Sequence, residues 1–401
     1  MIDEPQLSAV IFVLAMKIFN RCSRVWRRNS MQDFKADFSL ASGSYLLNHS
    51  VGRPLKSAEQ VLAQQFFAPW QDSNVEPWQQ WLKVVDLFCL NLAKLFNGRV
   101  EEFCPQVNLS SALTKLVMSL DALGDKNAVV LMSEIDFPSM GFALKKALPQ
   151  GCVLRFIPKS LDITDPAVWQ SHIKADVDLV FVSHVYSNTG QLAPVNDIVE
   201  AAKSKAALTL IDVAQSAGIV PLDLGHLQPD FMIGSSVKWL CGGPGSAYLW
   251  VNSKHIEGCQ PKDVGWFSHE NPFEFDIHHF RYHPTALKFW GGTPSIAPYA
   301  IAAHSIGYFT DIGSHKLRSH NQRLIDAVAE QLGEAFVSPM QESRRSGTMI
   351  LDFGAKQQQV MAALQRANVS VDLRSEGIRV SPHIYNDMAD IENLITAVKG
   401  I

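Results

Sequence analysis

Five short stretches between residues 128 and 234 are apolar at most positions: 128–133 (AVVLMS), 153–158 (VLRFIP), 179–184 (LVFVSH), 208–213 (LTLIDV) and 231–234 (FMIG). Runs this short, rich in Val, Ile, Leu and Phe and without a polar face, predict strands buried on both sides, as in a parallel sheet. Helical spacing lies between them. Residues 110–123 carry Leu113, Leu116, Val117 and Leu120, and residues 195–205 carry Val195, Ile198, Val199 and Ala202. This alternation predicts a doubly wound α/β unit with helices on both faces of a mainly parallel sheet. After residue 295 the pattern changes. Two long helical stretches, 295–309 and 315–332, precede strands near 348–353 and 378–381 and helices near 357–366 and 389–399. The expected organisation is therefore a large domain over 46–294, a smaller α+β domain over 295–401, and an N-terminal segment, 1–45, packing on the small domain.

Composition narrows the function. With 47% hydrophobic and 18% charged residues among 401, the protein has enough apolar material for a large core and does not read as disordered. Its 35 basic and 39 acidic residues leave a formal charge of −4, so no positive field favours nucleic acid. The six cysteines, at 22, 89, 104, 152, 241 and 259, show neither CxxC spacing nor a disulfide framework. A soluble, cytoplasmic, metal-free protein is expected. The longest apolar run, 9–16 (AVIFVLAM), is followed by Lys17 and a basic cluster at Arg24, Arg27 and Arg28. It is shorter than the about 20 residues a spanning helix needs, and its charges stand on the wrong side for a secretory signal. It reads as an amphipathic N-terminal helix, or as an extension ahead of Met31.

Candidate chemistry concentrates in 208–251. Asp212 ends one apolar strand, and Lys238 follows another and precedes a glycine-rich turn, Cys241–Gly245 (CGGPG). Both would stand at the carboxyl edge of a parallel sheet, where open α/β folds bind ligands. A lysine in apolar surroundings can act as an amine nucleophile toward an aldehyde, and a carboxylate facing a pyridine nitrogen keeps it protonated. An ordinary Asp–Lys ion pair at a strand end fits the two residues equally well.

The ordered set Ser183-His184-Val185, Asn188-Thr189-Gly190, Asp212-Val213-Ala214-Gln215, Ser235-Ser236-Val237-Lys238 and Gly291-Gly292-Thr293-Pro294 resembles fold-type-I enzymes of the class V aminotransferase superfamily, which use pyridoxal 5′-phosphate (PLP). Within it, GGPG after the lysine, Gly265–Glu270 (GWFSHE), Gly377–Pro382 (GIRVSP) and the turn Asn48–Gly52 (NHSVG) are most similar to kynureninases. The resemblance implies a hydrolase that cleaves the side chain of L-kynurenine or a related amino acid. It implies covalent attachment of PLP to Lys238 and pairing of the ring nitrogen with Asp212, with Gln215 nearby. It implies Phe137 stacked on the ring, and phosphate contacts from Leu113, Thr114 and Ser235. Thr293 would reach the site from the partner subunit of a homodimer. Arg379 would hold the substrate carboxylate, and Ser50 and Trp266 would lie near the substrate's aromatic end. Plain packing roles are the alternatives for Phe137 and Thr114, and a surface arginine for Arg379.

Three positions depart from kynureninases. Val237 stands where the family has tyrosine, Gln215 where it has histidine, and Ser187–Gly190 (SNTG) replaces an aromatic stretch. The Asp-x-x-Gln spacing also fits cysteine desulfurases, which need a mobile nucleophilic thiol in the loop before the carboxylate-binding arginine. No cysteine follows Cys259, so desulfurase chemistry is disfavoured. Another class V aminotransferase, epimerase or lyase remains open, as does a non-catalytic PLP-fold binding protein.

Overall fold

The computed structural model describes residues 32–401, so the apolar run at 9–16 and the basic cluster behind it lie outside the described residues. In chain order the strands are β1 (Ser44–Tyr45), β2 (Phe103–Gln106), β3 (Val129–Ser133), β4 (Val153–Ile157), β5 (Leu179–Ser183), β6 (Leu208–Asp212), β7 (Phe231–Ser235), β8 (Ala247–Val251), β9 (Met349–Leu351), β10 (Val369–Ser370), β11 (Asp372–Arg374) and β12 (Gly377–Val380). β2–β8 form one seven-stranded sheet in the order β2-β8-β7-β6-β5-β3-β4. β8 runs against both neighbours, and the other pairs are parallel.

The pleat explains why these strands lack a polar face. Val129, Leu131, Val180 and Val182 point into one core, with helices Trp78–Phe96, Val195–Ser204 and Ala297–Ile312. Val130, Met132, Leu179 and Phe181 point into the other, with helices Leu109–Val117 and Pro138–Ala147. Alternate side chains must leave a strand on opposite faces, so a sheet covered on both sides needs apolar residues at every position. The edge strand β4 has one side free, and there Arg155 emerges to pair with Asp176.

Helix Ala297–Ile312 is buried almost all round, with Ala300, Ala302, Ala303 and Ile306 packed between the sheet and Trp78–Phe96. A separate core gathers Leu324, Ile325, Val328, Met349, Leu351, Val360, Ile378, Val380, Ile391 and Leu394, together with Leu46 from near the chain's start. It joins the antiparallel sheet β11-β12-β9 to helices Ser314–Gln331, Gln357–Arg366 and Met388–Lys399. β1 pairs in parallel with β10, and Lys35 bridges to Asp387 and Asp390. The residues just before the large sheet thus tie into the C-terminal layer.

Candidate active site

β6 and β7 are neighbours, with Asp212 opposite Ile233, so both strands deliver their last residues to the same edge. The turn after β7 is tightly closed. Ser236 N–H donates to the Ser246 carbonyl at 3.0 Å, and Gly242 N–H donates to the Ser236 carbonyl at 2.8 Å. Ser305 Oγ, on the helix behind, donates to the Leu240 carbonyl at 2.6 Å, and His383 Nε2 bonds the Trp239 carbonyl at 2.7 Å. A Cβ at Gly242 would stand 2.7 Å from Ser236 and 3.0 Å from Ala302, so the turn tolerates only glycine at this contact. Lys238 is therefore presented from a rigid loop rather than a flexible one.

Asp212, Gln215, Phe137, Ser235 and Lys238 line one cavity of about 180 Å³, together with Ser110, Ser139, Ser183, Ser187 and Val237. Burial raises the Asp212 carboxyl above its usual range, while the Ala214 N–H at 2.8 Å and the charge of Lys238 act to hold it down. Burial lowers the Lys238 ammonium; Asp212 opposes the shift and Arg379 reinforces it. A lysine with its proton loosened beside a buried carboxylate is suited to nucleophilic attack and proton transfer.

Gln215 Nε2 donates to the His49 carbonyl at 3.0 Å, but its Oε1 is buried and has no hydrogen-bond partner among the described residues. Phe137, 51% exposed, offers an open aromatic face to the same cavity. An unpaired buried acceptor and an uncovered ring beside a carboxylate and an amine fit a planar heteroaromatic ligand carrying an aldehyde.

The phosphate end requires a correction. Leu113 and Thr114, expected as phosphate contacts at the start of a helix, lie in its second turn. Asn108 is the N-cap, its side chain accepting from Ser111 N–H at 2.8 Å, so Leu109, Ser110 and Ser111 form the first turn. Leu113 is fully buried in the core, and Thr114 lines an adjoining groove with Lys115 and Lys146, which meets the Lys238 cavity at Ser110 and Ser139. The apolar spacing sets which face of the helix is inward, not where it begins; the Asn-x-x-Ser cap was the signal for that. Ser110 lines the Lys238 cavity, and the open N–H groups of a first helical turn suit a phosphate.

The other expected residues scatter. Arg379, on β12, is buried with its guanidinium near enough to be felt at Lys238. Ser50 and Thr293 are exposed and do not line the cavity. Trp266 packs edge-on against Trp78 and Phe267.

A family profile described as Aminotransferase class-V matches residues 106–394, which include every element of this cavity. The protein belongs to the class-V aminotransferase family. PLP is the family's cofactor, and the residues around Lys238 fit it. A kynureninase of Shouchella clausii is 27% identical over 92% of this chain and 90% of its own. An uncharacterized aminotransferase, YcbU of Bacillus subtilis, is 24% identical over 80% of this chain and 85% of its own. Among solved structures, a cysteine desulfurase from Thermococcus onnurineus superposes with a TM-score of 0.81 at 20% identity, covering 92% of this chain and 98% of that one. At that identity the superposition establishes the fold-type-I architecture and nothing finer. Among the described residues no helix is long and apolar enough to cross a membrane.

Proposed function

We propose that this protein is a kynureninase-like hydrolase that breaks the carbon–carbon bond within the side chain of L-kynurenine or a related amino acid. The observation that carries the reading is the convergence of Lys238, Asp212, Phe137 and Gln215 on one cavity, in a protein similar to kynureninases over nine-tenths of its length. When bound, PLP supplies an aldehyde for covalent attachment and a protonated ring that absorbs an electron pair. Lys238 holds the cofactor and moves the substrate's α-proton at Nζ. The Asp212 carboxylate keeps the ring nitrogen protonated. Phe137 would hold the cofactor's ring, and Ser110 and Ser235 would hold its phosphate. Arg379 holds the substrate carboxylate, which fixes the α-carbon's orientation; such positioning contributes several kcal/mol to catalysis, on the order of the entropy pre-paid in binding. Thr293, exposed on this protomer, would serve the site of a second copy in a homodimer.

The segment before Arg379, residues 369–377, holds no cysteine, which supports carbon–carbon rather than carbon–sulfur chemistry. Val237 supports a second reading, an aminotransferase or lyase acting on another amino acid. It puts no hydroxyl in the cavity where kynureninases have tyrosine. An amino-acid panel followed by absorbance and mass spectrometry separates the two. Anthranilate and alanine from L-kynurenine are expected; inert kynurenine with a keto acid released from another amino acid refutes the first choice.

A further inference from the structure

Arg379 reaches the rim of the cavity through Ser187 and does not stand alone there. Its direct cross-strand partner on β11 is Asp372. Arg379 Nε and Nη2 donate to Asp372 Oδ1 and Oδ2 at 2.9 and 2.6 Å, and Nη1 donates to the Ser187 carbonyl at 2.9 Å. Of the five N–H bonds a guanidinium carries, these take three. Among the described residues one N–H on each terminal nitrogen therefore remains open. A carboxylate can be gripped only through the Nη1/Nη2 end of the fork.

Asp372 is itself held. His49 Nε2 lies 2.7 Å from Asp372 Oδ1, and His49 Nδ1 lies 2.6 Å from Ser381 Oγ, which in turn lies 2.8 Å from Thr348 Oγ1. A carboxylate only accepts, so Nε2 carries the proton and Nδ1 accepts from Ser381. Burial favours this neutral form by lowering the His49 pKa. The same His49 offers its carbonyl to Gln215 at 3.0 Å. One chain of hydrogen bonds thus links a residue of the cofactor cavity to Arg379.

We propose that Asp372 is a positioning residue that aims Arg379, leaving the terminal edge of its guanidinium as the docking site for the substrate's α-carboxylate. The proposal rests on the reading of Arg379 as the carboxylate holder. A bidentate carboxylate–guanidinium pair fixes a plane as well as a distance, so it sets the angle at which a second carboxylate must arrive. It also neutralises Arg379, so the substrate is recognised by direction more than by net charge. Removing the Asp372 charge has opposite consequences for binding and for orientation. The bare arginine attracts the carboxylate more strongly, and it no longer holds it at the productive angle.

The test uses holoenzyme and L-alanine, with L-alaninamide as the carboxylate-free control. Calorimetry gives Kd, and the exchange of the α-hydrogen for deuterium at saturating alanine gives a rate. In Asp372→Asn the exchange rate is expected to fall at least about tenfold, while Kd for L-alanine stays within about threefold of wild type or tightens. Unchanged exchange overturns the proposal. A parallel loss of affinity, exchange and melting temperature also overturns it, because Asp372 would then be a structural brace. If wild type binds alanine and alaninamide equally and Arg379→Lys changes neither, the carboxylate-holder reading itself fails, whatever Asp372→Asn does.

Discussion

The turn Asn48–Gly52 and the lysine loop meet at Gly52, and the contact is close enough to give a number. Gly52 N–H donates to the Val237 carbonyl at 2.9 Å. A Cβ at residue 52 would stand 2.1 Å from the carbonyl oxygen of Lys238 and 2.5 Å from Cys241 Sγ, where real Cβ atoms keep at least 3.0 Å. Gly52→Ala therefore forces the Lys238 backbone to retreat by about 1 Å or breaks the bond to Val237. A displacement of that size at a reacting group costs roughly 100-fold in rate, about 2.7 kcal/mol of barrier. Overpacking adds about 1–3 kcal/mol of lost stability. Turnover at saturating cofactor and substrate, with a melting curve, reads both. Gly141→Ala is the control. Its nearest neighbour would be the flexible end of Met132 at 3.8 Å, and it sits inside a helix, so stability should hold or rise by roughly 0.5–1 kcal/mol. Wild-type turnover and melting in Gly52→Ala would refute the claim that this turn locks the lysine in place.

Phe137→Ala should raise the Kd for PLP about tenfold, since a stacked ring contributes roughly 1.5 kcal/mol, and should leave melting of the unloaded protein nearly unchanged because the side chain is half exposed. Asp136 is buried beside Asp212, and burial pushes its carboxyl up to about 7, while nearby Ser183 and the bond from the Ser133 N–H act to hold it down. The folded state then holds a proton that the unfolded state releases near pH 4. Stability should decline between about pH 4 and 7, by up to about 1.4 kcal/mol per pH unit from this group, and Asp136→Asn should flatten that slope in urea titrations. Asp230 is buried at the far end of β7. Burial works against its charge, but His255, Lys254 and Thr209 hold its carboxyl well below the usual range. Its contribution is present above about pH 4 and lost on acidification, and Asp230→Ala should cost roughly 3 kcal/mol at pH 7 without altering kcat in the loaded enzyme.

The central strands were legible because burial on both faces leaves little room for polar residues. The five runs read from the sequence coincide with β3–β7 to within a residue or two at each end. The placement of Lys238 and Asp212 at one sheet edge was legible for a related reason: charged groups at or just past the ends of apolar strands come to that edge. β2 escaped notice, since its Pro105 and flanking turns mask a four-residue strand, and so did β8, which follows directly on the glycine-rich turn. The helix carrying Ser110 was read in the correct phase and to within a residue of its start, but it ends at Val117 rather than 123, and the phosphate contacts were set a turn too far along it because amphipathic spacing is blind to capping. The His49–Asp372–Arg379 relay could not be read at all. Its members lie 323 and 7 residues apart, and only the hairpin β11–β12 folded against the early turn brings them together.

The most direct measurement is peptide mass spectrometry after borohydride treatment of the protein loaded with PLP. The expected result is one reduced cofactor per protomer on the peptide that contains Lys238, absent from Lys238→Ala, which should also lose the yellow colour of the loaded protein. A label on a different lysine, or equal colour and labelling in Lys238→Ala, would contradict the assignment of Lys238 as the residue that carries the cofactor.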